Sequence, residues 1–228
     1  MKRLALLGAL ACAALAAAAP AGATNECRGL MVCVPVQGPW VLAPASDQVE
    51  YQLSCPRRFI VGGLDAELTD RSIDVTFIGA LGSPVNPGVT TTGDAVFRGR
   101  FVGTRAAAAS FRPHIGCVPS QGGGQRVPTA YHAFPPGKPT VRIVRELPVL
   151  AGKTQKVTLA CAPRDRLTSV THAIAFYTPQ PPTPQLASAV TVRRTVSSGR
   201  VQVTARGSSA LRGVRAVVQV DLVCAVGT

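Results

Sequence analysis

The chain has 228 residues, a formal net charge of +13, 46% hydrophobic residues and only 15% charged residues, against roughly 25% charged in an ordinary soluble domain. That hydrophobicity excludes a disordered chain, and the lack of any apolar run of about 18 residues beyond the N-terminus excludes a multi-span membrane protein. Its 22 Gly and 19 Pro show no period, which excludes collagen.

In chain order, Lys2 and Arg3 precede the apolar stretch Leu4 to Ala19, and Ala21-Gly22-Ala23 is a small-residue cleavage site. Residues 1–23 therefore read as a secretory signal peptide. The mature chain, Thr24 to Thr228, is expected to be secreted, at the cell surface, extracellular or periplasmic, with no transmembrane anchor. Cleavage removes Cys12 and leaves Cys27, Cys33, Cys55, Cys117, Cys161 and Cys224. Six cysteines in an exported chain read as three disulfides, with 15 pairings open on paper. Two intervals narrow them: Cys55 to Cys117 is 62 residues and Cys161 to Cys224 is 63. One bridge per repeat then leaves Cys27–Cys33 as a local clasp. No C-x-x-C or H-x-x-x-H spacing supports a metal site.

The repeat is visible in the residues. Val41-Leu42-Ala43 precedes an alternating run to Cys55 through Tyr51 and Leu53; Val149-Leu150-Ala151 precedes one to Cys161 through Val157 and Leu159. Period two with one apolar face is a strand. The closing runs match as well: Ala109, Phe111, Pro113, Ile115 and Cys117 align with Ala216, Val218, Val220, Leu222 and Cys224. Around the second run, Arg215, Gln219 and Asp221 fall on the other face, the apolar-in, polar-out alternation of an antiparallel sheet. Pro113 implies that its strand is an edge or carries a bulge. Further strands are expected at 72–78, 95–102, 169–177, 189–196 and 200–206, each bounded by Gly, Pro, Asn or Ser turns. No segment has a 3.6-residue period, so the predicted class is all-β with two antiparallel β-sandwich repeats.

The early-strand cysteines Cys55 and Cys161 and the late-strand cysteines Cys117 and Cys224 make the chain resemble a tandem of bacterial immunoglobulin-like β-sandwiches. The likeness covers about 39–119 and 140–226, and residue usage resembles exported proteins of high-GC bacteria. The resemblance implies an inter-sheet bridge in each repeat. The predicted organisation is a signal peptide at 1–23, a disulfide-clasped segment at 24–38, sandwich repeat one at 39–119, a Gly/Pro-rich linker at 120–139, and a basic sandwich repeat two at 140–228. The linker holds Tyr131, His132 and Phe134, expected to lie against a neighbouring domain.

Charge is split unevenly. Residues 24–120 hold eight Lys+Arg and eight Asp+Glu, whereas 121–228 hold fourteen Lys+Arg and only Glu146, Asp165 and Asp221. Arg193, Arg194, Arg200, Arg206, Arg212 and Arg215 crowd the C-terminal region. Such a field attracts polyanions such as teichoic acids, lipopolysaccharide, anionic lipid headgroups or nucleic acid. No nucleic-acid-binding motif is present and no aromatic residues interleave with these arginines, so no specific nucleic-acid partner is expected. No G-x-S-x-G, H-E-x-x-H or phosphate-cradling glycine loop occurs, and all six mature cysteines are needed for bridges. Of the histidines, His114, His132 and His172, the first is expected on a sheet face. Asp65, Glu67, Asp70 and Asp74 form the one candidate Ca²⁺ set, without EF-hand spacing. The expected function is a non-catalytic, cofactor-free module of the envelope or extracellular space that binds an anionic envelope polymer or another extracellular protein. The alternative is an enzyme or enzyme inhibitor on a β-scaffold.

Overall fold

The computed structural model describes residues 25–30, 32–45, 47–78, 93–104, 108–120, 140–197 and 199–225. The expected signal peptide, and most of the expected linker with Tyr131, His132 and Phe134, lie outside them. Among the described residues the strands are β1 (Val34–Gln37), β2 (Trp40–Leu42), β3 (Val49–Ser54), β4 (Phe59–Leu68), β5 (Ile73–Ile78), β6 (Asp94–Phe101), β7 (Ser110–Pro119), β8 (Thr140–Val149), β9 (Thr154–Ala160), β10 (Arg166–Tyr177), β11 (Val190–Ser197), β12 (Arg200–Gly207) and β13 (Arg215–Ala225). A single helical turn, α1 (Pro184–Ala187), is capped by the Thr183 side chain, with proline at its start. The molecule is all-β with antiparallel sheets. None of its described helices is long and apolar enough to cross a membrane.

Three sheets form. The central one has seven strands in the order β1-β7-β2-β10-β13-β8, with β4 on the other side of β7; the outer ones are β3-β6-β5 and β11-β12-β9. The two halves are not separate sandwiches side by side. Strand β2 pairs with β7 through Val41↔Phe111 and with β10 through Val41↔Ala175 and Trp40↔Phe176, so one sheet crosses both halves of the chain. Strands β10 and β13 are covered on both faces. Ala173, Ala175 and Val217 enter the core under β3-β6-β5 with Tyr51, Phe97, Phe101 and Phe111. Phe176, Val218, Val220 and Leu222 enter the core under β11-β12-β9 with Val201, Val203 and Ala205.

This double burial corrects one expectation. Gln219 and Asp221, read as the solvent face of β13, are 2% and 1% exposed. Strand β3 lies edge-on across that face. Its outer backbone edge needs hydrogen-bond partners, and Gln219 supplies them: Gln52 N–H donates to Gln219 Oε1 (2.6 Å) and Gln219 Nε2 donates to Gln52 O (3.1 Å). Pro113 brings a second correction. Its strand β7 is interior, flanked by β4 along one side and by β1 and then β2 along the other. Pro113 falls in the gap between β1 and β2, where the chain passes as Gly38-Pro39, so its missing N–H removes no ladder bond. Its carbonyl accepts from Gly38 N (2.8 Å).

The bridges are Cys27–Cys33, Cys55–Cys117 and Cys161–Cys224. The two long ones each tie an outer sheet to the central sheet, one next to β3 and one next to β9. The clasp closed by Cys27–Cys33 lies over β4 and β7, where a Cβ on Gly63 or Gly116 would overlap the Glu26 carbonyl.

Candidate functional site

The outer face of β11-β12-β9 follows from register. Directly paired residues point to the same side of a sheet, and Val201, Val203 and Ala205 of β12 point into the core. The alternate residues therefore face outward in four rows: Thr191–Arg206–Thr154, Arg193–Thr204–Lys156, Thr195–Gln202–Thr158 and Ser197–Arg200–Ala160. All are exposed except Thr204, which is half-buried at the centre. Four cations, five threonines, a serine and a glutamine make up eleven of these positions. None of the three strands contains a carboxylate or an aromatic residue. The hairpin between β11 and β12 turns through Gly199 at φ +74°, a left-handed conformation that glycine adopts without cost.

The other outer sheet provides an internal comparison. On the side of β3-β6-β5 away from its core, Glu50 stands opposite Arg98, buried where β3 meets β8, and the exposed Asp74 stands opposite the exposed Arg100. The same architecture carries charges of both signs there and of one sign on β11-β12-β9.

The six sequence-selected arginines do not share one surface. Arg193, Arg200 and Arg206 lie on the outward grid. Arg194 is on the opposite side of β11, and its Nη1 donates to Val170 O (2.7 Å) on the part of β10 that β2 leaves uncovered. Arg215 stacks its guanidinium 3.9 Å from the Tyr177 ring centre. Arg212 follows the 3-10 turn 209–211. Lys156 was missed in the sequence because it stands far from the arginine-rich segment. The alternation of β9 was legible, but the strand that β9 pairs with was not.

The acidic set does not converge. Asp65 accepts from Asn25 N (2.6 Å) and Ala66 N (2.8 Å), and Asp70 caps its own turn by accepting from Ser72 N (2.7 Å). Glu67 Oε1 lies 3.2 Å from His114 Nε2, and Asp74 is on the separate sheet. Among the described residues no group of three or more His, Cys, Asp or Glu is placed to hold a metal ion. His114 is buried on β7, with Glu26 Oε1 3.8 Å from its Nδ1. His172 lines a cavity of about 330 Å³ with Asp47, Leu42, Val49 and Ile174. Burial and the Arg194 charge lower its pKa against the opposing pull of Asp47.

Behind β3 lies a polar seam between the halves. Arg142 of β8 bonds both Glu50 (2.8 Å) and Asp221, and Glu50 also takes Arg98. Burial pushes Glu50 up, but the hydrogen bonds from Arg98 and Arg142 outweigh it and hold the carboxyl below its usual value. At Asp221 burial prevails over Arg142, and the pKa is raised. Burial raises the Tyr51 hydroxyl too, beside Tyr177 and Glu146. These groups hold β3 against β8, β10 and β13, away from the outward grid.

Comparison with protein families, with curated proteins and with solved structures finds no match.

Proposed function

We propose that the protein is a non-catalytic module, secreted or associated with the cell envelope, that binds anionic polymers through the outward face of β11-β12-β9. Its layers resemble immunoglobulin-like sandwiches, a scaffold on which function resides in surfaces and loops. One observation carries the reading: four cations and seven hydroxyl or amide side chains, with no carboxylate, on a face whose counterpart in the other half has its cations opposite carboxylates. Uncompensated charge on a sheet face raises the local concentration of polyanions and makes their binding salt-dependent.

The test uses the oxidised mature chain on immobilised heparin, with affinity measured across a salt series. Arg193→Ser, Arg206→Ser and Lys156→Ser together should abolish most of the binding. Arg57→Ser, Arg71→Ser and Arg100→Ser remove the same formal charge from exposed positions of the other half. An equal loss in both triple variants would reduce the effect to net charge and refute the assignment of the face.

A further inference from the structure

We infer that this face selects a ring-free phosphate chain, a polyphosphate or a polyol phosphodiester, with one phosphate seated above Thr204 between Arg193, Lys156 and Arg206. The inference rests on the polyanion reading above and gives its ligand class. Neighbouring strands lie about 4.8 Å apart and alternate residues about 6.8 Å apart. Arg193 and Lys156 flank Thr204 in one row, and Arg206 lies in the next row on the same strand as Thr204. The Cα atoms of the three cations are then about 8–10 Å from one another, and their long side chains can meet over the central threonine. Thr191 and Thr154 flank Arg206 and add hydroxyl donors to the ring.

Donors that arrive from three strands suit a tetrahedral oxyanion, whose oxygens point in several directions. A carboxylate is planar, and a single guanidinium fork satisfies it. The absence of aromatic side chains from all twelve positions bears on the rest of the ligand. Nucleobases are held on single-strand-binding surfaces largely by stacking on aromatic rings, and this face offers none. What it can read is the charged repeat and the hydroxyl groups between charges. Along β12, Arg200 lies six residues from Arg206, about 20 Å away in an extended strand. Between them runs the uncharged row Thr195–Gln202–Thr158. A single phosphate fills only the cation triangle; a chain crosses the hydroxyl row and reaches Arg200.

The experiment titrates the oxidised mature protein calorimetrically, at one salt concentration, with tripolyphosphate, long-chain inorganic polyphosphate, polygalacturonate and oligo(dT). Long-chain polyphosphate should bind at least about ten-fold tighter than polygalacturonate or oligo(dT) of matched charge. Thr204→Val should weaken long-chain polyphosphate by about ten-fold, the loss of one hydrogen bond to a charged group, and leave polygalacturonate unchanged. Arg200→Ser should weaken the long chain and not tripolyphosphate. Equal binding of all three polymers, with loss in the Arg193/Arg206/Lys156 variant, would overturn the phosphate selectivity and leave the polyanion face standing. Tighter binding of oligo(dT) would overturn the ring-free assignment in favour of a nucleic-acid surface. No binding of any polymer would overturn both readings.

Discussion

Replacing Gln219 with Leu tests whether the two halves are one cooperative unit. The Gln219 amide is 2% exposed and pairs both ways with the Gln52 backbone on β3, at 2.6 and 3.1 Å. Leucine fills similar space but leaves one N–H and one C=O of β3 without their partner. Each buried unsatisfied group costs about 1–3 kcal/mol, so the pair costs about 2–6. Burying the leucine side chain returns about 1.5–3 kcal/mol, so mid-range values leave a net loss of about 2 kcal/mol against a total stability of about 5–15. Urea unfolding followed by far-ultraviolet circular dichroism and by fluorescence of Trp40, which sits on the bridging strand β2, gives two independent probes. Both should report one transition, displaced by about 1 M at an m-value of about 2 kcal/mol/M, with m unchanged. A destabilisation below about 0.5 kcal/mol would show that β3 does not depend on the amide. Two separated transitions, only one of them displaced, would refute the shared-sheet account of cooperativity.

Glu50→Gln should destabilise the protein by about 1–3 kcal/mol near neutral pH, with Arg142 left to Asp221 and the partly exposed Arg98 losing its partner. Because the folded pKa of Glu50 is lowered, its contribution is present above its unfolded value of 4.5 and is lost as pH falls through the folded value; the stability difference between wild type and variant should vanish over that acid range in urea titrations. His172 has the opposite chemistry but the same sign: its lowered folded pKa makes its contribution present above 6.5 and lost as pH falls below it. His172→Gln should therefore flatten the thermal-stability profile just below pH 6.5, and an unchanged slope would contradict the burial seen here. Gly63→Ala places a Cβ onto the Glu26 carbonyl and should displace the clasp, read as faster proteolysis at Arg28, with the rest of the fold retained.

Much of the fold was legible because the strands are bounded by strong turn residues. The expected runs at 72–78, 95–102, 189–196 and 200–206 fall within a residue of β5, β6, β11 and β12. Near-equal cysteine intervals led to the two long bridges because a strand of each outer sheet runs up to one cysteine and each half ends on a strand carrying the other. Strand β4 was hidden by Gly62-Gly63, which interrupt its alternation; those glycines admit the clasp, whose Glu26 carbonyl lies against Gly63 from 37 residues away in sequence. The role of β2 was illegible for a different reason. Three residues, Trp40-Val41-Leu42, join the halves, and nothing local distinguishes a short strand with two neighbours from one with a single neighbour. Gln219 and Asp221 misled because period-two alternation reports which residues differ in polarity, and reports burial only where one face meets water. Here the polar face meets an edge-on strand. The same limit applies to the basic residues: alternation separated Arg193 from Arg194, but only the register of β12 with β9 added Lys156 to the grid.

The charge total of the C-terminal half overstates what it can present to a ligand, and this gives a quantitative expectation. Residues 121–228 carry a formal excess of eleven positive charges. Arg142 is held by Glu50 and Asp221, Arg194 by the Val170 carbonyl, and Arg215 by the Tyr177 ring. The outward grid holds four cations, Arg193, Arg200, Arg206 and Lys156. For single-stranded polyanions the logarithm of the binding constant falls against the logarithm of salt by about 0.7 for each charge neutralised. Four contacts therefore give a slope near −3, whereas engagement of the whole basic half would give about −8. A salt series on long-chain polyphosphate distinguishes the two values. Arg200→Ser should reduce the slope by about 0.7, and Arg212→Ser, off the grid, should leave it unchanged. A wild-type slope near −8, or equal effects of these two substitutions, would mean that the ligand reads the overall field of the domain and that the ordered rows of β11-β12-β9 play no particular part in binding.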